Sequence, residues 1–196
     1  PGMVNTHSHA SMIPFRSLQD DCPDRLRRFL IPLENGAMNE ELSVLSFKYA
    51  VVEMLMSGIT CFADMYYYVD KLAQACDEMG IRAILGETVY YEPTCDAKEA
   101  YGGLELGKKY MDSWGKHPLV TLTLAPHATN TNEGTIFQKA MEIVKEHDTI
   151  LMTHAAEMDY EMKYFKETYK LSPIEWLDSL GCLNDHTLLA HCILAN

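Results

Sequence analysis

The 196-residue sequence has few basic residues, and they are scattered: 16 Lys and Arg stand against 28 Asp and Glu, for a net charge of −12. The one cluster is Arg25-Leu26-Arg27-Arg28. A nucleic-acid binder needs a basic face, so that class is set aside. No apolar run approaches the length that spans a bilayer, so no membrane partner is expected. No secretory leader opens the chain, although Pro1 already abuts a strand. The six cysteines (22, 61, 76, 95, 182 and 192) form no C-x-x-C pair. Such spacing reads as reduced thiols, and a cytoplasmic location is the expectation. Phosphate-binding glycine loops of the G-x-G-x-x-G or G-x-x-x-x-G-K-[ST] kind are missing after every expected strand. So are H-E-x-x-H and the H-x-E…P-C-x-x-C pattern of cytidine-type zinc deaminases.

What is present is a regular alternation of strand and helix. Strands are expected at residues 3–6, 59–65, 81–89, 119–127, 149–154 and 187–193. They are apolar almost throughout, as in a parallel sheet buried on both faces. Helices are expected after the Asn39 cap up to Gly58, then over 70–79, 97–114, 132–147 and 158–170. Another should start at the Ser172-Pro173-Ile174-Glu175 capping box and end at Gly181. Residues 10–38 read as a long loop with a short helical piece near 23–29, of the kind that covers a site. The pattern suits a doubly wound sheet or a (β/α) barrel. The barrel accounts better for the polar residues, because its strand ends converge on one rim.

Those strand ends carry the chemistry. The first runs through Met3-Val4-Asn5-Thr6 into His7-Ser8-His9. Alternate strand residues share a face, so His7 and His9 project together as two metal ligands. His154 ends the fifth strand and is the natural third ligand. Glu157, three residues on, is placed as a proton shuttle beside the bound water. Its alternative role is a carboxylate favoured by a helix N-terminus. His191 ends the sixth strand, as a ligand or as a group hydrogen-bonded to the water. His127 ends the fourth behind Pro126, aimed into a pocket. Either could instead be a satisfied core histidine. Asp64 closes the second strand, with a structural and a functional role equally open. The fourth strand has no lysine to bridge two metals, which favours a single ion.

The runs PGMVNTHSH (1–9), LAPH (124–127), THAAE (153–157) and LLAHC (188–192), in this order, resemble the metal-dependent amidohydrolase superfamily. They look most like its chlorohydrolase/deaminase branch, which includes S-adenosylhomocysteine/methylthioadenosine deaminase, guanine deaminase and triazine hydrolases. The resemblance covers essentially all 196 residues. It implies a (β/α) TIM-type barrel, α/β in class. It also implies one divalent metal, zinc first and iron second, on His7, His9 and His154. Glu157 would move protons, and His191 would orient water or substrate. LIPLE (30–34) resembles a segment whose Glu grips ribose hydroxyls, which gives that role to Glu34.

Two positions depart from the pattern. Arg25 stands where that subgroup stacks an aromatic side chain on the purine. Glu87 stands where it uses Arg for a substrate carboxylate. Glu34 and Glu87, with Arg25 nearby, are therefore expected to give the substrate pocket a negative wall. That wall would suit neutral or cationic aminated heterocycles with hydroxylated tails. The expected reaction is hydrolytic deamination of a purine- or adenosine-like ring. Dehalogenation of a chlorinated ring is the alternative, and an inactive metal- or partner-binding fragment a third.

The resembled family has eight strands, a metal-binding Asp after the last, and a flanking β-sandwich. Residues 1–196 supply six strands and neither of the others, so a partial barrel domain is expected. It should be open between its first and sixth strands. A homo-oligomer is expected of the full-length protein.

Overall fold

The computed structural model describes residues 1–195. Six strands alternate with helices: β1 (Met3–Asn5), β2 (Ile59–Tyr66), β3 (Arg82–Val89), β4 (Val120–Pro126), β5 (Leu151–Ala155) and β6 (Thr187–His191). β1 to β4 form one parallel sheet in chain order, and β5 pairs with β6 in parallel. A bridge between Ala128 and His154 links the two sheets, through the His154 amide to the His127 carbonyl at 3.2 Å. The strands thus follow one another around an arc. Among the described residues, β1 pairs only with β2 and β6 only with β5. Met3 and Val4 on the β1 edge are 56% and 62% exposed. This is the open barrel that six strands predict.

Local chemistry sets the helix ends. Asn39 caps α2 (Glu40–Met56) by accepting from the Leu42 amide at 3.0 Å, with Glu40 and Glu41 in the first turn. Gly80, at φ 71°, closes α3 (Val69–Met79) in the left-handed conformation that a residue with Cβ resists. The helices pack on the outside of the arc, burying Phe47, Phe62, Leu72, Leu85, Leu124, Phe137, Leu151 and Leu177 between layers. A smaller cluster of Ala63, Met65, Ala125 and Met152 fills the interior of the arc.

Two expectations are corrected. Residues 10–38 are ordered into a 3-10 segment (Ala10–Phe15), a π turn (Leu26–Leu30) and α1 (Ile31–Ala37). Pro32 fits because α1's first turn needs no amide donor there. Leu26, Phe29, Leu30 and Leu33 pack onto the core together with Met12 and Ile13. The helix expected over 97–114 begins only at Gly103, as α4 (Gly103–Trp114). A Cβ at Gly103 would lie 2.0 Å from the Thr88 carbonyl oxygen, so this close approach of helix to strand needs glycine. The remaining helices are α5 (Gly134–Glu146), α6 (Asp159–Thr168) and α7 (Pro173–Ser179). No helix among the described residues is long and apolar enough to cross a membrane.

Candidate active site

Five imidazoles gather where the C-terminal ends of the strands meet. The His7 ring centroid lies 4.9 Å from His9, 5.0 Å from His154 and 5.2 Å from His191. His154 in turn lies 5.1 Å from both His127 and His191. They line a cavity of about 710 Å³, together with Glu34, Tyr66, Tyr67, Tyr90, Arg27 and Glu157. Strand parity explains the convergence. Met152 and His154 share the inner face of β5, and Ala125 and His127 that of β4. His191 has the parity of Leu189, which packs outward. Its backbone turns to φ 73°, followed by Cys192 at 51°, and its ring stacks on His154.

Hydrogen bonds fix the tautomers of two rings. His9 Nδ1 lies 2.7 Å from the Met65 carbonyl, and His154 Nδ1 2.5 Å from the His127 carbonyl. A carbonyl only accepts, so both Nδ1 atoms carry the proton and both Nε2 atoms present lone pairs. Those two Nε2 atoms face each other at 3.2 Å. Two lone pairs at that distance repel unless a cation lies between them. Two nitrogens bound tetrahedrally at about 2.0–2.1 Å would be about 3.3 Å apart. The donor set therefore fits a metal ion, with the Met65 and His127 carbonyls aiming the rings. His7, His154 and His191 also present nitrogens within 4.8 Å of one another. His9 is locked by the Met65 carbonyl, whereas His191 Nε2 lies 3.5 Å from Glu157 Oε2.

The electrostatics agree. Burial, then the His9 and His191 charges, lowers the His7 pKa to about 4. Burial and His9 lower His127 to about 4, and burial together with neighbouring imidazoles lowers His154 further. His9 is also lowered, by burial first. Neutral imidazoles at pH 7 are the metal-binding form.

The supports are carboxylates. Asp64 Oδ1 accepts the Ala10 amide at 2.6 Å and lies 2.8 Å from the Ser8 hydroxyl. It braces the His7-Ser8-His9 turn from behind, which gives it the structural role. Burial raises its pKa to about 7. Glu34, on α1, is buried and accepts the Tyr66 hydroxyl at 2.6 Å. Burial raises it to about 7 against that hydrogen bond. His127 Nδ1 is 3.1 Å from the Thr131 hydroxyl.

Two sequence-predicted residues lie elsewhere. Glu87 does not line the cavity. On β3, Gly86 faces inward, where a Cβ would meet Met152 and Ala125, so Glu87 points outward beneath α4 and α3. There it is fully buried and accepts the Val69 amide at 3.3 Å. Burial and the adjacent Asp96 carboxyl hold its pKa well above the usual range. Arg25 donates to the carbonyls of Leu18 and Phe15 and pairs with Asp20, pinning the preceding loop away from the cavity. The expected negative wall thus keeps Glu34 but neither Glu87 nor Arg25. Arg27, two residues on, does line the cavity, its guanidinium 3.8 Å from the Tyr160 ring centroid. Only the helical pitch of residues 26–30 separates the two arginines, a signal hidden while the segment reads as a loop.

An open parallel (β/α) barrel, with imidazoles of successive strand ends converging on one cavity beside a carboxylate, has its polar cluster at the C-terminal rim where barrel enzymes carry their active sites. The chain belongs to the amidohydrolase family, whose model matches residues 1–196. It is 31% identical over 195 residues to a 5-methylthioadenosine/S-adenosylhomocysteine deaminase of Syntrophobacter fumaroxidans, with 98% of this chain and 44% of that protein covered. It is 34% identical over 196 residues to a 5'-deoxyadenosine deaminase of Methanopyrus kandleri, with 98% and 45% covered. A solved adenosine deaminase of Xanthomonas campestris with bound zinc superposes with a TM-score of 0.92 at 28% identity, over 96% of this chain and 44% of that one. The chain thus spans less than half the length of these relatives.

Proposed function

We propose that this chain carries the metal-binding part of a hydrolytic deaminase, acting on the exocyclic C–N bond of an aminated heterocycle of purine or adenosine type. The observation that carries the reading is the 3.2 Å approach of the His9 and His154 Nε2 atoms, both tautomers fixed by carbonyls. The deaminase relatives supply the substrate class. His7, His9 and His154 would hold one divalent ion, with zinc favoured by the zinc-bound neighbour. Such an ion makes water a nucleophile near neutral pH.

The chain's own residues do the rest. Glu157, facing the cavity beside His191, takes the proton released as water adds to the ring carbon bearing the amino group. It delivers that proton to the ring nitrogen and then carries the added hydroxyl's proton to the departing amine as the C–N bond breaks, so that water and substrate become the keto ring and ammonia. His191 holds the tetrahedral centre by a preorganised hydrogen bond. His127, edge-on to Tyr90, borders the ring pocket, and Glu34 accepts from hydroxyls of the sugar. The six unpaired cysteines support a cytoplasmic location.

The test is ammonia release from a panel of aminated purine nucleosides, pterins and triazines, using the protein expressed from its complete gene. Glu157→Gln should retain metal and lose about 10²–10⁴-fold in kcat. Chloride release from chlorinated triazines without deamination, or full activity in Glu157→Gln, would overturn the reading.

A further inference from the structure

Glu161 has no part in the reaction described above, yet it is the most heavily engaged carboxylate near the site. It lies at the third position of α6 and is 3% exposed. Its Oε1 accepts the Ala156 amide at 3.0 Å and the Thr129 hydroxyl. Its Oε2 accepts the Glu157 amide at 2.9 Å and the Met158 amide at 3.4 Å. Each oxygen thus already accepts two donors, which leaves Glu161 poorly suited to shuttle protons itself.

Its donors sit at a strained place. Ala156 is left-handed at φ 51°, a conformation a side chain with Cβ adopts only where its surroundings enforce it. Glu161 holds its N–H, and the Leu194 amide holds its carbonyl at 2.8 Å. The Cys192 amide bonds the Ala155 carbonyl at 3.0 Å, so the segment after His191 is tied to the same kink. Thr129 brings in the exit of β4, two residues beyond His127. The kink decides where Glu157 points, and Glu157 Oε2 ends 3.5 Å from His191 Nε2.

We propose that Glu161 is a positioning residue: its carboxylate clamps the left-handed turn at Ala156 and so aims Glu157 at His191 across the cavity. The inference rests on the deaminase reading for Glu157 and adds the device that places it. An amide at position 161 cannot reproduce the clamp, because its NH2 group would confront backbone N–H donors.

The experiment combines kinetics with amide hydrogen exchange on the protein from its complete gene. Glu161→Gln should lower kcat about 10–100-fold, the scale of a small misplacement of a catalytic group. KM should stay within about twofold, and bound metal should be unchanged. Exchange at the amides of Ala156, Glu157 and Met158 should accelerate about tenfold or more. In a Glu157→Gln background, the second change should cost less than about twofold in kcat, since it acts only through Glu157.

Thr129→Val removes a single donor and serves if Glu161→Gln does not fold; it should speed the same exchange and lower kcat by about threefold or more. Equal kcat losses for Glu161→Gln with and without Glu157 would overturn the proposal. So would unchanged exchange, or a lower melting temperature with unaltered kcat. Exchange requires no turnover. A protein that deaminates nothing but loses protection at residues 156–158 refutes the deaminase reading and leaves the clamp standing.

Discussion

Glu87→Gln should alter the pH dependence of stability and leave substrate binding alone. Glu87 is fully buried, its Oε1 has no hydrogen-bond partner, and Asp96 lies against it. Burial, then the Asp96 charge, raises its pKa well above that of a free carboxyl. A raised carboxyl pKa contributes stability that is fully present below the unfolded value near 4.5 and is lost as pH rises toward the folded value. The loss approaches about 1.4 kcal/mol per pH unit inside that window. As pH rises above 5 the wild-type protein should therefore lose stability through this group. Glutamine has the same shape, cannot ionise, and donates its NH2 group to Asp96. The variant should match wild type within about 1 kcal/mol at pH 5 and be the more stable at pH 7. At about 2–4 °C per kcal/mol, thermal melts at pH 5, 6, 7 and 8 will resolve the difference. A difference that does not grow with pH, joined to a changed KM, would show that Glu87 faces substrate after all.

Arg27→Ala should raise KM about 2–5-fold, the scale of an exposed cation–π contact that holds Tyr160 at the cavity mouth, while Arg25→Ala leaves KM within about twofold. The Tyr66 hydroxyl holds down the Glu34 pKa, so Tyr66→Phe should push it above about 7. The pH at which a sugar-bearing substrate begins to bind well should move upward with it; an unmoved KM–pH profile would remove Glu34 from the binding site. Gly107→Ala should destabilise by about 1–3 kcal/mol in urea melts, because its Cβ would come within 2.4 Å of Leu124 Cδ2 and 2.9 Å of Glu87 Cβ. A neutral result there would mean that α4 packs on β3 more loosely than the structure has it.

The barrel was legible because apolar strands and capped helices alternate with clean punctuation at Asn39, Gly58, Gly80, Ser172 and Gly181. His7, His9, His127 and His154 were legible because inner-face parity at a strand's C-terminal end is a two-residue rule. The same rule, carried along β3, would have turned Glu87 outward: Gly86 and Thr88 face in, so the residue between them cannot. His191 breaks the parity of β6 through a left-handed backbone that no local sequence signal marks. Glu161 resembles the acidic residue of any helix's first turn, and its four donors become visible only when Thr129 and Ala156 meet in space. Within residues 10–38, Pro32 falls in the first turn of α1, where a proline ends no helix.

The proposed mechanism depends on the strand-end imidazoles forming one metal centre on His7, His9 and His154. A crystal structure of the zinc-loaded protein, with anomalous data at the zinc edge, tests it most directly. One ion should lie about 2.0–2.1 Å from one nitrogen of each of those three rings. His9 and His154 should bind through Nε2 while their Nδ1 atoms remain on the Met65 and His127 carbonyls. Zinc held by His191 in place of His9, or no anomalous peak among the five rings, would contradict it.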